Sequence, residues 1–248
     1  MSRFHRTSNI RPGSIVARSR SSGLAKRREM AHQPDTGIYL RVKRFGDVVV
    51  AGIALLLLSP LLLLIAALIK LDSPGPVIFA QERVGWDQRR RAVRHFKLYK
   101  FRSMRAAADQ DAHRGHMERI IKEGLAPAAG GSLKLQNDAR ITRLGRWLRR
   151  ASLDELPQLY NVLKGDMSLV GPRPALPYEV ELYQEWQRRR LEALPGLTGW
   201  WQVAGRNQVS FDESVRMDIY YIENRSLGLD LKILLLTPLA VFSGKGAG

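Results

Sequence analysis

From Val48 to Ile69 the chain runs for twenty-two residues without a charge, bounded by Asp47 and Lys70. Such a run is long enough to cross a bilayer as one helix. It has neither the short apolar stretch nor the small-residue cleavage site of a secretory signal, so the sequence predicts a permanent membrane element. Ser59-Pro60 divides it. Proline inside a helix removes one backbone hydrogen bond and crowds the preceding turn, at a cost of about 3 kcal/mol. The helix is therefore expected to kink or break there, with the Ser59 hydroxyl satisfying a freed backbone group. Each arm then covers roughly 16 Å, about half the hydrocarbon thickness. The flanking charges agree: Arg41, Lys43 and Arg44 precede the run, and Arg83, Arg89, Arg90, Arg91, Arg94 and Lys97 are among the bases that follow. Cytoplasmic flanks favour Lys and Arg. A re-entrant helix-break-helix over residues 39–72 keeps both flanks on one side, whereas a kinked single span does not, and the sequence favours re-entry.

Beyond this element the pattern predicts an α+β, mainly helical domain over 73–248. Ser73-Pro74-Gly75-Pro76 is a turn, followed by a short strand at Val77–Ala80. Helices are expected at Ala106–Glu123, at Pro177–Leu194, and from Ser210-x-x-Glu213, a capping-box pattern, towards Glu223. Trp200–Val203 reads as a strand. Leu231–Phe242 is apolar, too short to span and interrupted by Pro238, which suits the lipid interface or the core. Residues 1–38 hold eight Lys or Arg, many Ser, Gly and Pro and no apolar periodicity, the composition of a solvated, disordered basic tail.

Charge and composition narrow the chemistry. Forty Lys and Arg against 23 Asp and Glu give +17 over 248 residues, with no cysteine. Disulfides, thiolate metal sites and cysteine nucleophiles are excluded. So strong a positive charge attracts anions of every kind, whether nucleic acid, acidic membrane or phosphorylated substrate. A membrane-tethered nucleic-acid-binding module uses the charge, but no zinc-finger spacing or RNP-type strand accompanies it. A membrane scaffold is the other alternative.

The densest polar cluster is Arg149–Pro174, RRASLDELPQLYNVLKGDMSLVGPRP. Asp154 and Glu155 are adjacent, Arg149 and Arg150 lie just upstream, and Arg173 stands between Pro172 and Pro174. Carboxylates flanked by guanidinium groups suit a site that holds a phosphate while an acid works on it. Asp154 and Glu155 also suit Mg²⁺, which takes one or two carboxylates plus substrate phosphate oxygens. Two structural readings compete. Ser152-x-x-Glu155 is itself a capping box, and Asp154 can instead be the N-cap of a helix with Pro157 in its first turn. His113 and His116 on a predicted helix lack a third ligand. Arg188, Arg189 and Arg190 read as surface charge. Leu194–Asn207, with three glycines, Trp200, Trp201 and Arg206, reads as a loop approaching a ligand.

In order, KRFGD near Lys43, the Ser59-Pro60 break, SPGPVIFAQERVG, FKLYKFRSM, LDELPQL to GPRP, LPGLTGWWQVAGRN and DIYYIENRSLGLDLKILLLT resemble the bacterial sugar transferase family of monotopic polyprenyl-phosphate phosphoglycosyl transferases. The resemblance covers about residues 41–237. It implies an enzyme of the bacterial inner membrane, facing the cytoplasm, that begins exopolysaccharide, O-antigen or glycan assembly. Asp154 would attack the sugar-linked phosphate of a UDP-sugar, release UMP and pass the phosphosugar to polyprenyl (undecaprenyl) phosphate. Glu155 would assist with Mg²⁺ or a proton, and Arg173, Arg149 and Arg206 would contact phosphate or nucleotide. Anionic lipid would be a further partner, at about 1 kcal/mol per surface base, and nucleic acid none. The sugar and the oligomeric state are left open.

Overall fold

The structure is a computed structural model, described over residues 36–105, 111–123, 140–205 and 209–242. Helices dominate, with two small two-stranded sheets between them. Helix α1, Thr36–Asp72, is one continuous helix through Pro60, where the sequence predicted a kink or break into two arms. The Ser59 hydroxyl donates to the Leu56 carbonyl at 2.7 Å, the local satisfaction expected beside proline. α1 is long and apolar enough to cross a membrane. Yet one stripe of it packs against the rest of the protein along the whole apolar run. Ala51, Ala54, Leu55 and Leu58 join one core cluster, and Leu61, Leu62, Ile65, Ala66 and Ile69 join another. Spacings of three and four place these residues on a single face. Phe45, Leu56, Leu57, Leu63, Leu64 and Leu71 are exposed.

Both ends of α1 are pinned. Tyr39 and Lys43 donate to Asp230 at 2.8 and 2.9 Å, and Asp47 accepts the Leu169 backbone N–H at 3.1 Å. At the other end the Arg102 guanidinium donates to the carbonyls of Ile69, Ser73 and Pro76, satisfying groups that a helix terminus leaves unpaired.

Strands β1, Ile78–Asp87, and β2, Ala92–Phe101, form an antiparallel hairpin with Ile78 opposite Phe101 and Asp87 opposite Ala92. β1 is longer than the predicted Val77–Ala80. At the tip the Asp87 carboxylate accepts the N–H groups of Arg89 and Arg90, and Arg91 adopts a left-handed φ of 50°. After α2, Asp111–Glu123, come α3, Arg143–Arg150, a 3₁₀ turn at Leu153–Glu155, and α4, Gln158–Lys164. Asn161 of α4 is fully buried; it donates to the Lys97 carbonyl at 2.7 Å and accepts the Tyr99 N–H at 3.0 Å, extending the β2 edge as a strand would.

β3, Ser168–Val170, runs parallel to β4, Gly196–Thr198. The chain segments after β3 and before β4 touch so closely that a Cβ on Gly171 or Gly196 would overlap the opposite backbone. Where one helix was predicted over Pro177–Leu194, the structure has α5, Pro177–Glu181, α6, Glu185–Arg188, and a 3₁₀ turn at Arg189–Leu191. The interruption has a local cause: Gln184 is extended, and its N–H is taken by the Gln187 side chain at 2.8 Å. Trp200–Ala204 is helix α7, not a strand. α8, Phe211–Asn224, opens on the predicted box, with Ser210 Oγ accepting from Glu213 N and the Glu213 carboxylate accepting from Ser210 N. α9, Leu227–Phe242, contains Pro238, buries Ile233 and exposes Leu227, Leu231, Leu235 and Leu239. It therefore contributes to the core on one side and leaves an apolar stripe on the other. The basic tail up to residue 35 lies outside the described residues.

Candidate active site

The predicted carboxylate pair sits where the backbone is most constrained. After α3, Ser152 takes a left-handed conformation, φ 55° and ψ 19°, which a non-glycine residue adopts only at a cost. The chain then enters the 3₁₀ turn that carries Asp154 and Glu155. Neither capping arrangement forms. Ser152, left-handed and not extended, makes no side-chain cap bond, and Pro157, not Asp154, precedes α4. Asp154 is buried, with 8% of its surface exposed. Its neighbour Leu153 packs against the cluster formed by Ile65, Ile69, Phe101 and Leu148. The turn packs against α3 and β2.

Basic groups reach the pair from the hairpin. Arg94, Phe96, Leu98 and Lys100 share one face of β2 by strand alternation. The two hydrophobic members are buried, and Lys100 at the end of the row bonds the Glu155 carboxylate at 2.7 Å. Arg83 of β1 is buried; Nη1 donates to the Pro174 carbonyl at 2.9 Å and Nη2 to Gln81 at 2.7 Å. Burial and the neighbouring Arg173 push the Arg83 guanidinium down to about 10, while Glu179, Tyr178 and Glu155 pull it back. It stays charged at neutral pH, and its bond to Pro174 ties β1 to the Pro-Arg-Pro segment.

That segment is a strap pegged at nearly every backbone group. Gly171 N donates to Thr198 O, Gly196 N to Pro172 O, Arg83 to Pro174 O and Val84 N to Ala175 O, at 2.8 to 2.9 Å. The two prolines remove donors that would otherwise need partners. What the strap presents is the half-buried side chain of Arg173. Arg149 lies in the last turn of α3, which packs on the Asp154 turn. Arg206 lies outside the described residues, as do the side chains of His113 and His116. Trp201 is buried, and Trp200 is half-buried with the Lys232 ammonium 5.2 Å from its ring centre.

The family model for bacterial sugar transferases matches residues 38–244. The chain belongs to the bacterial sugar transferase family. Among its relatives, this sugar transferase is 46% identical over 213 residues to the galactosyl transferase CpsE of Streptococcus agalactiae, a match covering 84% of this chain and 44% of that protein. It is 43% identical over 209 residues to the exopolysaccharide production protein ExoY of Rhizobium meliloti, covering 83% of this chain and 87% of that one. It is 42% identical over 212 residues to the undecaprenyl-phosphate galactose phosphotransferase of Salmonella typhimurium, covering 83% and 41%. The chain thus spans less than half of two of these relatives and most of the third.

Three features of the transferase's site are not apparent in its sequence. Arg83 and Lys100 stand in alternating strand positions beside other bases, and only the fold brings them to Pro174 and Glu155. Arg190, expected on the surface with Arg188 and Arg189, is 4% exposed and paired with the fully buried Asp218 at 2.5 Å. The signal that could have separated it was the acid of DIYYIEN, twenty-eight residues away. Burial pushes the Asp218 carboxyl up to about 6, against the charge of Arg190 and the backbone N–H of Arg173, so it is ionised at neutral pH.

Proposed function

We propose that this sugar transferase moves a sugar 1-phosphate from a UDP-sugar to undecaprenyl phosphate at the cytoplasmic face of the bacterial inner membrane, the opening step of a polysaccharide or glycan. The observation that carries the reading is Asp154: a buried carboxylate on a strained turn, with Lys100 bonded to the adjacent Glu155 and Arg83 bonded to the Pro-Arg-Pro strap. The names of the relatives, a galactosyl transferase and an undecaprenyl-phosphate galactose phosphotransferase, point to the same class of substrates.

An Asp154 oxygen attacks the sugar-bearing phosphorus of the donor. The new P–O bond to the carboxylate forms as the P–O bond to UMP breaks, and UMP leaves with the electron pair. An oxygen of undecaprenyl phosphate then attacks the same phosphorus and displaces Asp154, which is regenerated. Splitting the exchange in two keeps the two bulky anions from having to meet in one complex. Phosphoryl transfer depends chiefly on positioning and charge stabilisation, and here those fall to Arg83 and Arg173 towards the diphosphate, with Lys100 holding Glu155 in place. Mg²⁺ fits the donor set. No group of three His, Asp or Glu gathers among the described residues, but Asp154 and Glu155 supply the one or two carboxylates that Mg²⁺ takes when substrate phosphates complete its shell. When bound, the ion neutralises charge on the transferring phosphate.

The packing of α1 supports a monotopic arrangement. A helix that crosses the bilayer alone is sheathed in lipid, whereas α1 packs along its middle against the domain that bears the site, and both its ends are pinned to that domain. The lipid-borne acceptor and the soluble donor can therefore meet at one height. Basic residues along the same surface would add attraction to anionic lipid.

The test is intact-protein mass spectrometry after incubation with Mg²⁺ and a panel of UDP-sugars without acceptor. A phosphosugar adduct on Asp154, absent in Asp154→Asn, is expected. Turnover by Asp154→Asn at the wild-type rate would overturn the proposal. Tags placed before Val48 and after Ile69 should both be labelled from the cytoplasm.

A further inference from the structure

The first turns of α1 and the tip of the β1–β2 hairpin enclose an open groove of about 450 Å³ that the proposed reaction does not use. Leu40, Arg41, Arg44, Phe45 and Val48 line it from α1, and Gln88 lines it from the tip. Spacings of three and four put Arg41, Arg44, Phe45 and Val48 on one side of the helix. The groove stands at the far end of the hairpin from the carboxylate pair. Lys100, which meets Glu155, is eight residues along β2 from Ala92 at the tip, about 26 Å of extended strand. The groove also lies where charge gives way to hydrocarbon: the uncharged run of α1 begins at Val48, and Phe45, Val49, Ile53 and Leu56 continue an exposed apolar stripe from it along the helix. The rim is basic. Arg44 is held in place by the Val162 and Leu163 carbonyls at 2.5 and 2.7 Å, near the C-terminal end of α4. Arg41 and the side chains of Arg89, Arg90 and Arg91 are exposed and make no hydrogen bond or ion pair among the described residues. The nearest acids in the chain are already engaged: Asp47 is buried and accepts the Leu169 N–H, and Asp87 accepts the N–H groups of Arg89 and Arg90.

We propose that this groove binds one anionic phospholipid, with its phosphodiester between Arg41 and the tip arginines and its acyl chains on Phe45, Val48 and the stripe that follows. Basic pockets beside membrane helices recognise lipid phosphates by this combination of charge and position. The apolar floor selects a lipid over a free anion, and the unpaired guanidinium groups select an acidic lipid over a neutral one. The chain's own N-terminal segment is a poor occupant, because residues 1–38 hold eight Lys or Arg and carry the same sign as the rim. Binding here ties the hairpin tip to α1 at the membrane surface, at one place and with one lipid, which goes beyond a general attraction of bases to an acidic bilayer. The inference rests on the reading of α1 as the membrane element.

The test is native mass spectrometry of the full chain in detergent, which counts retained lipids. Phosphatidylglycerol is compared with phosphatidylcholine, which has the same chains and no net charge, and with glycerol phosphate, which has the anion and no chains. One phosphatidylglycerol should stay bound at concentrations where the other two do not. Arg41→Gln/Arg89→Gln should weaken its binding roughly thirtyfold, the combined attraction of two surface bases. Arg188→Gln/Arg189→Gln, which removes the same charge from exposed positions elsewhere, should leave it unchanged, and Phe45→Asn should weaken it several-fold. All these positions are exposed, so the melting temperatures should stay at the wild-type value. Equal losses from the two arginine pairs would reduce the effect to diffuse charge and overturn the proposal. So would phosphatidylcholine held as tightly as phosphatidylglycerol, or glycerol phosphate bound as tightly as the lipid. Flotation with phosphatidylcholine vesicles keeps the two readings apart. A chain that does not float overturns the membrane role of α1 and the groove with it, whereas a chain that floats and retains phosphatidylglycerol equally well as Arg41→Gln/Arg89→Gln overturns the groove alone.

Discussion

Asp154 and Asp218 are both buried carboxylates flanked by arginine-rich segments, and their backbone settings separate what each can do. Asp218 sits mid-helix in α8, its oxygen on a guanidinium that is itself walled in by Tyr183 and Phe211. Every neighbour of that carboxylate is fixed by tertiary packing, so it can only hold. Asp154 sits on a three-residue turn after a left-handed serine and beside a second acid that already has its own lysine. A short turn with stored backbone strain presents a side chain, whereas a helix interior buries one. Burial alone does not identify a reactive acid; the element that carries it does.

The contrast's first half is Asp154→Asn, which should lower turnover by about a thousandfold or more, as expected when a nucleophile is removed from machinery that works as a unit, with the melting curve within about 1 kcal/mol of wild type, since the amide keeps the size and shape of the side chain. Steady-state rates and a denaturant melt in detergent check both halves. Arg190→Met should do the reverse in kind. It strands the Asp218 charge in the interior, and the expected loss is about 3–5 kcal/mol of stability. A single Arg190→Met variant as stable as the wild type would mean that Asp218 is not charged in the fold, and the comparison would fail.

How much of this was legible in the chain depends on the range of each interaction. The apolar run of α1 and the box that opens α8 are local patterns, and each appears where its residues predicted. Strand β2 was not legible, because its inward face alternates Arg94, Phe96, Leu98 and Lys100, with bases at both ends of a short apolar pair. Long-range pairs are silent in sequence. Lys100 meets Glu155 across fifty-five positions, and Arg83 meets Pro174 across ninety-one. The predicted helix at Pro177–Leu194 failed because Glu179 and Gln187 spend their side chains on the backbone N–H groups of Leu176 and Gln184, starting two short helices where periodicity suggested one.

Acidification offers a milder way to separate the two carboxylates. Asp218 has a pKa of about 6 in the fold, against about 3.9 in an unfolded chain. The folded form therefore binds the proton more tightly, and protonation between pH 6 and 4 favours the fold through this group rather than costing stability. The groups facing it are Arg190 and Arg173, with Tyr183 and Glu179 beside Arg190, and none of these loses positive charge as pH falls. The melting temperature should accordingly gain from this group, not fall through it, as pH drops through about 6. Asp218→Asn, which cannot take up that proton, should lack this gain. A pH dependence of melting identical in the two proteins would remove Asp218 from the account.

The smallest expected effect discriminates best between packing and charge. The chain has two arginine triplets, Arg89–Arg91 at the hairpin tip and Arg188–Arg190 after α6, and composition cannot tell them apart. At the tip all three are exposed, whereas in the second triplet Arg188 and Arg189 are exposed and Arg190 is not. Arg189 bonds Glu223 at 2.7 Å with both side chains about half exposed, a pair worth little in water. Alanine at Arg89, Arg188 or Arg189 should each leave stability within about 0.5 kcal/mol, while the neighbouring Arg190→Met costs several times that. A graded loss along the second triplet, in place of a step at its last member, would mean that its net charge and not the Asp218 contact holds α6 against α8. Thermal melts of the four single variants in one detergent would settle which.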